Sequence, residues 1–311
     1  MDKTDIALIC ILMNNSRTPY TDLAEKLSLS VNAVHKRIQA LKESGIIRNF
    51  TARLSLSAVK AVNIIVFGVS ETLIDQEMIK KLQGNDRTYW VALAGGNYLY
   101  MGAYLRNISE IDSYATFVKN EAKIADPIVG LMTSHVAELA NQEAGIQNLD
   151  YRIIYAIRKD SRKVIPEISE ELGVSAKTIR RRLANLVNGS LVELGLEWYP
   201  DKENDIMTMM HVDLKGSTDK GNAISLLMKK YSPNVLFCFA FSNLPNLLIP
   251  CVWTNSMKQL QDISKNIQAE EGFERVVPRV LYVGYNWDTW RDKLVMERAA
   301  PKPREPGQEH A

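Results

Sequence analysis

The sequence predicts an α+β chain in which two winged helix-turn-helix domains alternate with two ferredoxin-like βαββαβ domains. Two observations carry that prediction. Residues Leu149 to Val192 repeat Thr4 to Ile47 without a gap at a fixed offset of 145, and after each copy the hydrophobic pattern changes from helical to strand-like. In the repeat Asp5 matches Asp150, Ser16-Arg17 matches Ser161-Arg162, Leu27 matches Leu172, Ser30 matches Ser175, Arg37 matches Arg182 and Leu41 matches Leu186. Self-similarity at a fixed period marks a duplicated unit, so the chain is read as two copies of one design rather than one large domain. At 311 residues it has the length for two units of roughly 150 residues each.

The first head opens with a helix capped by Thr4 or Asp5, with apolar positions Ile6, Ile9, Cys10 and Met13 and a stop at Asn14-Asn15-Ser16. A second helix covers Thr21 to Leu27. Ser28-Leu29-Ser30 then makes a tight turn, and Ser30 caps a third helix whose inward stripe is Val31, Val34, Ile38 and Leu41, ended by Gly45. Copy two repeats the plan with Ile153, Ile154 and Ile157, with Pro166 at the first position of helix two, with Gly173-Val174-Ser175 as the turn, and with Ile179, Leu183 and Leu186 as the stripe.

A small residue and a capping hydroxyl in that turn let two short helices cross closely, so that the third projects its first turns into a DNA major groove. The groove-facing residues are then Ser30, Asn32, Ala33, His35, Lys36 and Arg37 in copy one, and Ser175, Lys177, Thr178, Arg180 and Arg181 in copy two. Asn, Lys and Arg can bond base edges or phosphates, and Thr can meet a thymine methyl. Arg37 and Arg182 also lie next to the buried stripe, where an acidic residue of helix one is an alternative partner. Each head is followed by an extended segment, Ile46 to Leu54 and Leu191 to Tyr199, expected to form a wing, with Arg48 and Arg53 near phosphate in the first and Glu193 and Glu197 unfavourable to it in the second.

From Ala61 the pattern becomes strand Ala61 to Val69, helix Leu73 to Leu82, strands Thr88 to Gly95 and Tyr98 to Leu105, helix Ile108 to Ile124 and strand Ile128 to Ala137. The second copy follows with Ile206 to Leu214, Asn222 to Lys230, Val235 to Phe241, Leu247 to Trp253, Met257 to Glu270 and Glu274 to Tyr285. In a ferredoxin-like sandwich the helices cover one face of the sheet, and a solitary domain keeps the other face polar. Val91-Ala92-Leu93-Ala94, Leu236 to Phe241 and Leu247-Leu248-Ile249 leave no polar alternation, so a second sheet is expected against the open face, from the same chain or from another copy. The expected boundaries are 1–54 and 148–200 for the heads and 60–139 and 205–287 for the sandwiches, joined by a polar linker at Ala140 to Gln147. The proline-rich, charged tail 288–311 is expected to be disordered, from about Met296 onward.

Net charge is +2 overall; by segment it is +2 over 1–50, −2 over 51–149, +2 over 150–200 and 0 over 201–311, which places the positive excess on the heads. Cys10, Cys238 and Cys251 sit in apolar runs and are expected as buried free thiols, with no metal spacing and no cofactor motif. The apolar stretch Ile6 to Met13 is too short to span a bilayer, so a cytoplasmic protein without membrane partners is expected. No phosphate-binding glycine loop or nucleophile motif points to an enzyme.

Two winged heads, each followed by βαββαβ, resemble the Lrp/AsnC family of transcription regulators, here as a tandem fusion over residues 1 to 287. The resemblance rests on the Asp-x-x-Ile start of helix one, which stands in copy two as Asp150 to Ile153, the Ser-Arg before helix two, the Leu-Ser-Leu-Ser turn ending in Ser30, the stretch Glu43 to Ile47 and the Gly96-Asn97-Tyr98 hairpin. It implies a sequence-specific binder of double-stranded DNA that assembles as a homo-oligomer or as a pseudo-dimer of its halves. It further implies a small-molecule effector, an amino acid or another metabolite, held at Gly95, Gly96, Asn97 and Tyr98. Leu99 stands where family members often carry an acid, and copy two has Ser242-Asn243-Leu244-Pro245-Asn246 in place of the glycine hairpin. Two alternatives stand beside this reading. One is a sirohaem-type tetrapyrrole decarboxylase of the same architecture, although those enzymes use histidines near this hairpin and here His135 and His211 lie on strands elsewhere; the other is an assembly protein that binds no DNA.

Overall fold

The computed structural model describes residues 1–133, 145–200 and 204–300. The end of the strand expected to reach Ala137, His135, most of the linker and residues 301–311 lie outside the described residues. Head 1 comprises α1 (Lys3–Asn14), α2 (Tyr20–Leu27) and α3 (Val31–Glu43); head 2 comprises α6 (Asn148–Ile157), α7 (Ile165–Leu172) and α8 (Ala176–Asn188). The first sandwich contains β2 (Val62–Val69), α4 (Gln76–Gln83), β3 (Thr88–Ala94), β4 (Tyr98–Leu105), α5 (Ile111–Glu121) and β5 (Ile128–Leu131). The second contains β7 (Ile206–Leu214), α9 (Lys220–Lys230), β8 (Val235–Ala240), β9 (Leu247–Thr254), α10 (Met257–Gln268) and β10 (Phe273–Asn286). Among the described residues no helix is long and apolar enough to cross a membrane.

The heads hold together for the reasons the repeat suggests, with local corrections. Leu8, Ile9, Leu12, Leu23, Val34 and Ile38 form the core of head 1, whereas Val31 is 45% exposed and does not belong to the stripe. The cap of α1 is Asp2, in a capping box with Asp5, rather than Thr4 or Asp5. Pro166 is the second, not the first, residue of α7. The turn between helices two and three needs one left-handed residue, supplied by Gly173 (φ 63°) in head 2 and by Ser28 (φ 52°) in head 1. Arg182 binds both carboxylate oxygens of Asp150, which is 3% exposed, and Arg37 binds Asp2 at 2.8 Å and Asp5 at 2.7 Å. These pairs tie helix one to helix three in each head and supply the acidic partner on helix one that both arginines were expected to have within reach.

The expected wings are replaced by one shared ribbon. β1 (Ile47–Leu54) and β6 (Val192–Trp198) pair with each other, antiparallel, as a two-stranded sheet between the heads. Ala52 and Leu54 of β1 enter the core of head 2, while Leu196 and Trp198 of β6 pack on the core of head 1. An alternating strand buries whatever face meets an apolar partner, and the pattern of 46–54 could not say that the partner would be the other copy.

Each sandwich has the strand order expected of βαββαβ, and the two join into a single eight-stranded sheet, β5-β2-β4-β3-β10-β7-β9-β8. The join is β10, whose first half pairs with β7 and whose second half, from Leu281 to Asn286, pairs with β3. At the far edges Met132 bridges Phe241, the Ser242 amide donates to the Leu131 carbonyl at 2.8 Å, and the Thr133 amide donates to the Ala240 carbonyl at 2.8 Å. The two ends of the sheet therefore meet within one chain, through this bridge and the hydrogen bonds beside it. Gly130 is required at that seam, because a Cβ there would lie 2.3 Å from the Phe241 ring. The helices cover the outside, giving one core under α4 and α5 and another under α9 and α10. The apolar face predicted to need a second sheet forms a third core in the lumen, filled by Phe67, Tyr100, Met209, Phe241 and Trp253.

The described part of the tail carries a helix that its composition did not announce, running past Met296 to Ala299. Thr289 caps α11 (Trp290–Ala299) through a capping box with Asp292, and α11 packs on α6 and β1 with Leu294 and Val295 in the core of head 2. The Trp290 indole donates to the Tyr104 carbonyl at 2.7 Å under the Arg106 guanidinium, and Arg291, 1% exposed, pairs with Glu193. The helix expected from Leu73 starts instead at Gln76 behind an Asp75 cap, leaving Leu73 82% exposed. Trp290→Ala removes a buried ring and its hydrogen bond, with an expected loss of about 3 kcal/mol or more in urea unfolding; a loss under about 0.5 kcal/mol, within the ordinary range for surface sites, would show that α11 does not anchor head 2.

Candidate nucleic-acid interface

The recognition helices α3 and α8 present their predicted faces outward. In α3, Asn32, His35 and Lys36 are exposed and Ala33 is half-buried; in α8, Lys177, Arg180 and Arg181 are exposed and Thr178 is half-buried. Ser30 and Ser175 are exposed and act as caps, accepting from the amides of Ala33 at 3.1 Å and Thr178 at 3.3 Å. Each helix thus begins with ordered N–H groups and the positive end of its dipole on the outer surface, a geometry suited to phosphate. The His35 ring leans on Tyr20, with centroids 5.6 Å apart. Arg37 turns one guanidinium nitrogen to Asp2 and Asp5 and stays partly exposed at the margin of this face.

Arg48 is exposed on the ribbon, as a phosphate contact requires. Arg53 is not available for that role, since it lies 3.3 Å from Glu197 and 3.5 Å from Asp292. The acidic residues expected to repel DNA beside head 2 are likewise engaged, Glu197 with Asn49 and Arg53, and Glu193 with Arg291.

What fixes one head against the other is a reciprocal latch built from the repeated Ser-Arg pair. The Ser16 and Ser161 hydroxyls hydrogen-bond to each other at full burial. Arg17 donates to the carbonyls of Ser161 and Lys163, and Arg162 donates to those of Ser16 and Thr18. The Ser16 amide donates to Leu194 on β6 at 3.2 Å, and the Ser161 amide donates to Phe50 on β1 at 2.8 Å. Equivalent residues exchanging equivalent bonds describe a local two-fold axis between the heads. Burial and the nearby Arg162 lower the Arg17 pKa, while Arg162 lies over Tyr20 with its guanidinium carbon 4.5 Å from the ring centre. The repeat displayed this Ser-Arg pair, but its position before helix two gave no sign that it would meet its own counterpart.

The hairpin expected to hold an effector is a tight turn at the seam between the halves. Gly96 (φ 72°) and Asn97 (φ 54°) make the turn, the Gly95 amide donates to Val280 of β10 at 3.1 Å, and Tyr98 is 5% exposed beneath Arg279, whose guanidinium carbon is 3.6 Å from the ring centre. Beside it His211 Nε2 lies 2.7 Å from the Tyr100 hydroxyl, and burial with Arg279 nearby brings its pKa down to about 4, so the ring is neutral at pH 7. Cys10, Cys238 and Cys251 are free thiols, Cys251 buried and the others half-buried.

A family model described as winged helix-turn-helix DNA-binding matches residues 1–48 and again 146–193, the two heads. The HTH-type transcriptional regulator LrpA of Pyrococcus horikoshii is 33% identical over 104 residues, covering 32% of this chain and 72% of that protein. The regulatory protein AsnC of Haemophilus influenzae is 24% identical over 119 residues, 36% of this chain and 77% of the relative. Among solved structures the siroheme decarboxylase NirDL superposes over 96% of this chain and 98% of its own with a TM-score of 0.57 at 12% identity, a likeness of fold alone. Its nearly complete coverage shows that the four-domain arrangement on one chain recurs. Two matched heads, the paired βαββαβ sheets and the LrpA likeness place the chain in the Lrp/AsnC family of transcription regulators, as a tandem duplication of the family unit.

Proposed function

We propose that the protein is a sequence-specific regulator that binds double-stranded DNA with both heads of a single chain. The observation that carries this reading is the pair of exposed basic helices, α3 and α8, locked to each other through Ser16, Arg17, Ser161 and Arg162. The paired unit expected of two family members is met within one chain, so a single chain is the proposed DNA-binding unit. Tethering makes the second head's contact intramolecular and raises avidity without added contacts. A family-type effector at Gly95, Gly96, Asn97 and Tyr98 belongs to the proposal too, with Gly96 its most exposed member.

The second reading, a tetrapyrrole decarboxylase, is favoured by the whole-chain likeness to NirDL. Against the expectation that it lies away from the hairpin, the partly buried His211 hydrogen-bonds Tyr100 and packs edge-on against Tyr98, so the residues leave this second reading a histidine beside the hairpin. Turnover of an iron tetrapyrrole by the purified chain would reverse the order of the two readings.

The heads are chemically unequal. Head 2 offers Lys177, Arg180 and Arg181, whereas head 1 offers Asn32, His35 and Lys36. Each phosphate contact contributes about −0.9 to the slope of log K against log salt. Replacing Arg180 and Arg181 by Ala is expected to weaken binding and reduce that slope by nearly 2; an unchanged slope in a filter-binding titration would remove both from the interface. Unlike faces also imply unlike half-sites. Selection from a random duplex library is expected to return two different half-sites at fixed spacing, and recovery of a perfect inverted repeat would contradict the assignment of the two faces.

A further inference from the structure

The lumen is packed at one end and hollow at the other. Around His211 the rings of Phe67, Tyr98 and Tyr100 fill the space. Toward the ribbon the filling stops, leaving a cavity of about 450 Å3. That volume falls within the roughly 300–1,000 Å3 of small-molecule sites, and an eight-stranded barrel has an interior that side chains either fill or leave open for one small ligand.

The walls say what would fit. From the barrel come Trp90, Met207, Met209, Phe237, Phe239 and Leu281, with Trp90 and Phe239 edge-to-face at 6.1 Å. From head 1 and the ribbon come Met13 and Trp198. Aromatic rings and thioethers favour a flat aromatic guest through ring stacking and sulfur contacts. Among the described residues the charged ones in the lining are Arg53, Glu197 and Asp205. Arg53 faces Glu197 and Asp292, and Asp205 binds the N-terminal ammonium at 3.0 Å. The arginine is therefore already neutralised, and an anionic guest would lose its hydration without gaining a cation among the described residues.

We propose that this cavity binds an uncharged aromatic molecule of two or three rings, and that occupancy is coupled to the heads because the guest touches Met13 and Trp198 together with the barrel. The coupling clause rests on the DNA-binding reading above; the binding site does not. The site is separate from the Gly95–Tyr98 hairpin, none of whose residues lines the cavity. Two sites on one closed barrel can influence each other only if the guest binds the DNA-competent arrangement with a different affinity, and the effect must then be reciprocal.

The test uses N-phenyl-1-naphthylamine, a neutral fluorescent two-ring system bearing a third ring, and its sulfonate, 1-anilinonaphthalene-8-sulfonate, which has the same skeleton with a negative charge. The full chain is expected to bind the neutral compound saturably, one molecule per chain, and the sulfonate about tenfold more weakly or worse. Gly284→Leu is expected to weaken binding of the neutral compound about tenfold or more. Gly284 lines the cavity, and a Cβ there meets nothing closer than 3.8 Å, so the substitution has room to fold. Ala92→Leu fills from the neighbouring strand as a second variant, and cooperative thermal unfolding checks both. Absence of saturable binding, equal affinity for the sulfonate, or indifference to both filling variants would overturn the site. Saturating N-phenyl-1-naphthylamine is further expected to shift affinity for the selected duplex by about fivefold or more; an unshifted affinity would overturn the coupling alone. A chain that binds duplex but not the neutral compound would sink this inference and leave the DNA reading standing, and the opposite result would do the reverse.

Discussion

The arrangement depends on β10. Fourteen residues long, it serves the second sandwich with its first half and the first sandwich with its second, so one continuous ladder of backbone hydrogen bonds joins the two halves. Sheet edges present unpaired donors and acceptors, and a sandwich with an apolar open face is unstable alone. β10 resolves both problems together, and the bridge at Met132 and Phe241 closes the other side. The lumen core then requires no second chain, and the heads, joined to the barrel through β1, β6 and α11, are placed by the same closure.

Covalent joining changes what such a unit can become. A symmetric pair of identical chains is bound to present two identical reading faces, whereas here α3 and α8 differ at nearly every exposed position while Ser16 and Ser161, and Arg17 and Arg162, have been kept alike where they meet. The alike residues are those that hold the two-fold relation; the unlike ones face outward. The lumen is asymmetric as well. Met207, Met209 and Cys251 of the second half line the cavity together with Trp90 and Ala92 of the first, and the cavity sits toward one end of the lumen. NirDL shares the whole arrangement at 12% identity, a likeness of fold that does not by itself assign chemistry.

Much of this was legible in the sequence. The fixed offset exposed the duplication, the 3.6 and 2.0 periodicities placed the heads and strands, and the all-apolar runs such as Leu236 to Phe241 announced a buried second sheet face. Partner identity was not legible. Periodicity gives the face of β1 that is buried but not that β6 will cover it, and it could not choose between pairing within the chain and between chains. Arg37 carries the same ambiguity, because a basic residue at the margin of an amphipathic helix can turn to Asp5 or outward to phosphate. The tail misled because the prolines after Ala300 dominate its composition, although Thr289, Asp292 and Val295 are a cap and a core position of a short helix. The cavity could not have been read at all, since a void is the absence of side chains among residues far apart in sequence.

The central claim is that one chain holds two heads in a single fixed relation. The direct measurement is the distance distribution between spin labels at Lys36→Cys and Arg181→Cys, with Cys10, Cys238 and Cys251 replaced. The structure predicts one narrow distribution that is unchanged when labelled chains are diluted into unlabelled ones. A broad distribution, or one that disappears on dilution, would mean that the heads move independently or that the pairing lies between chains.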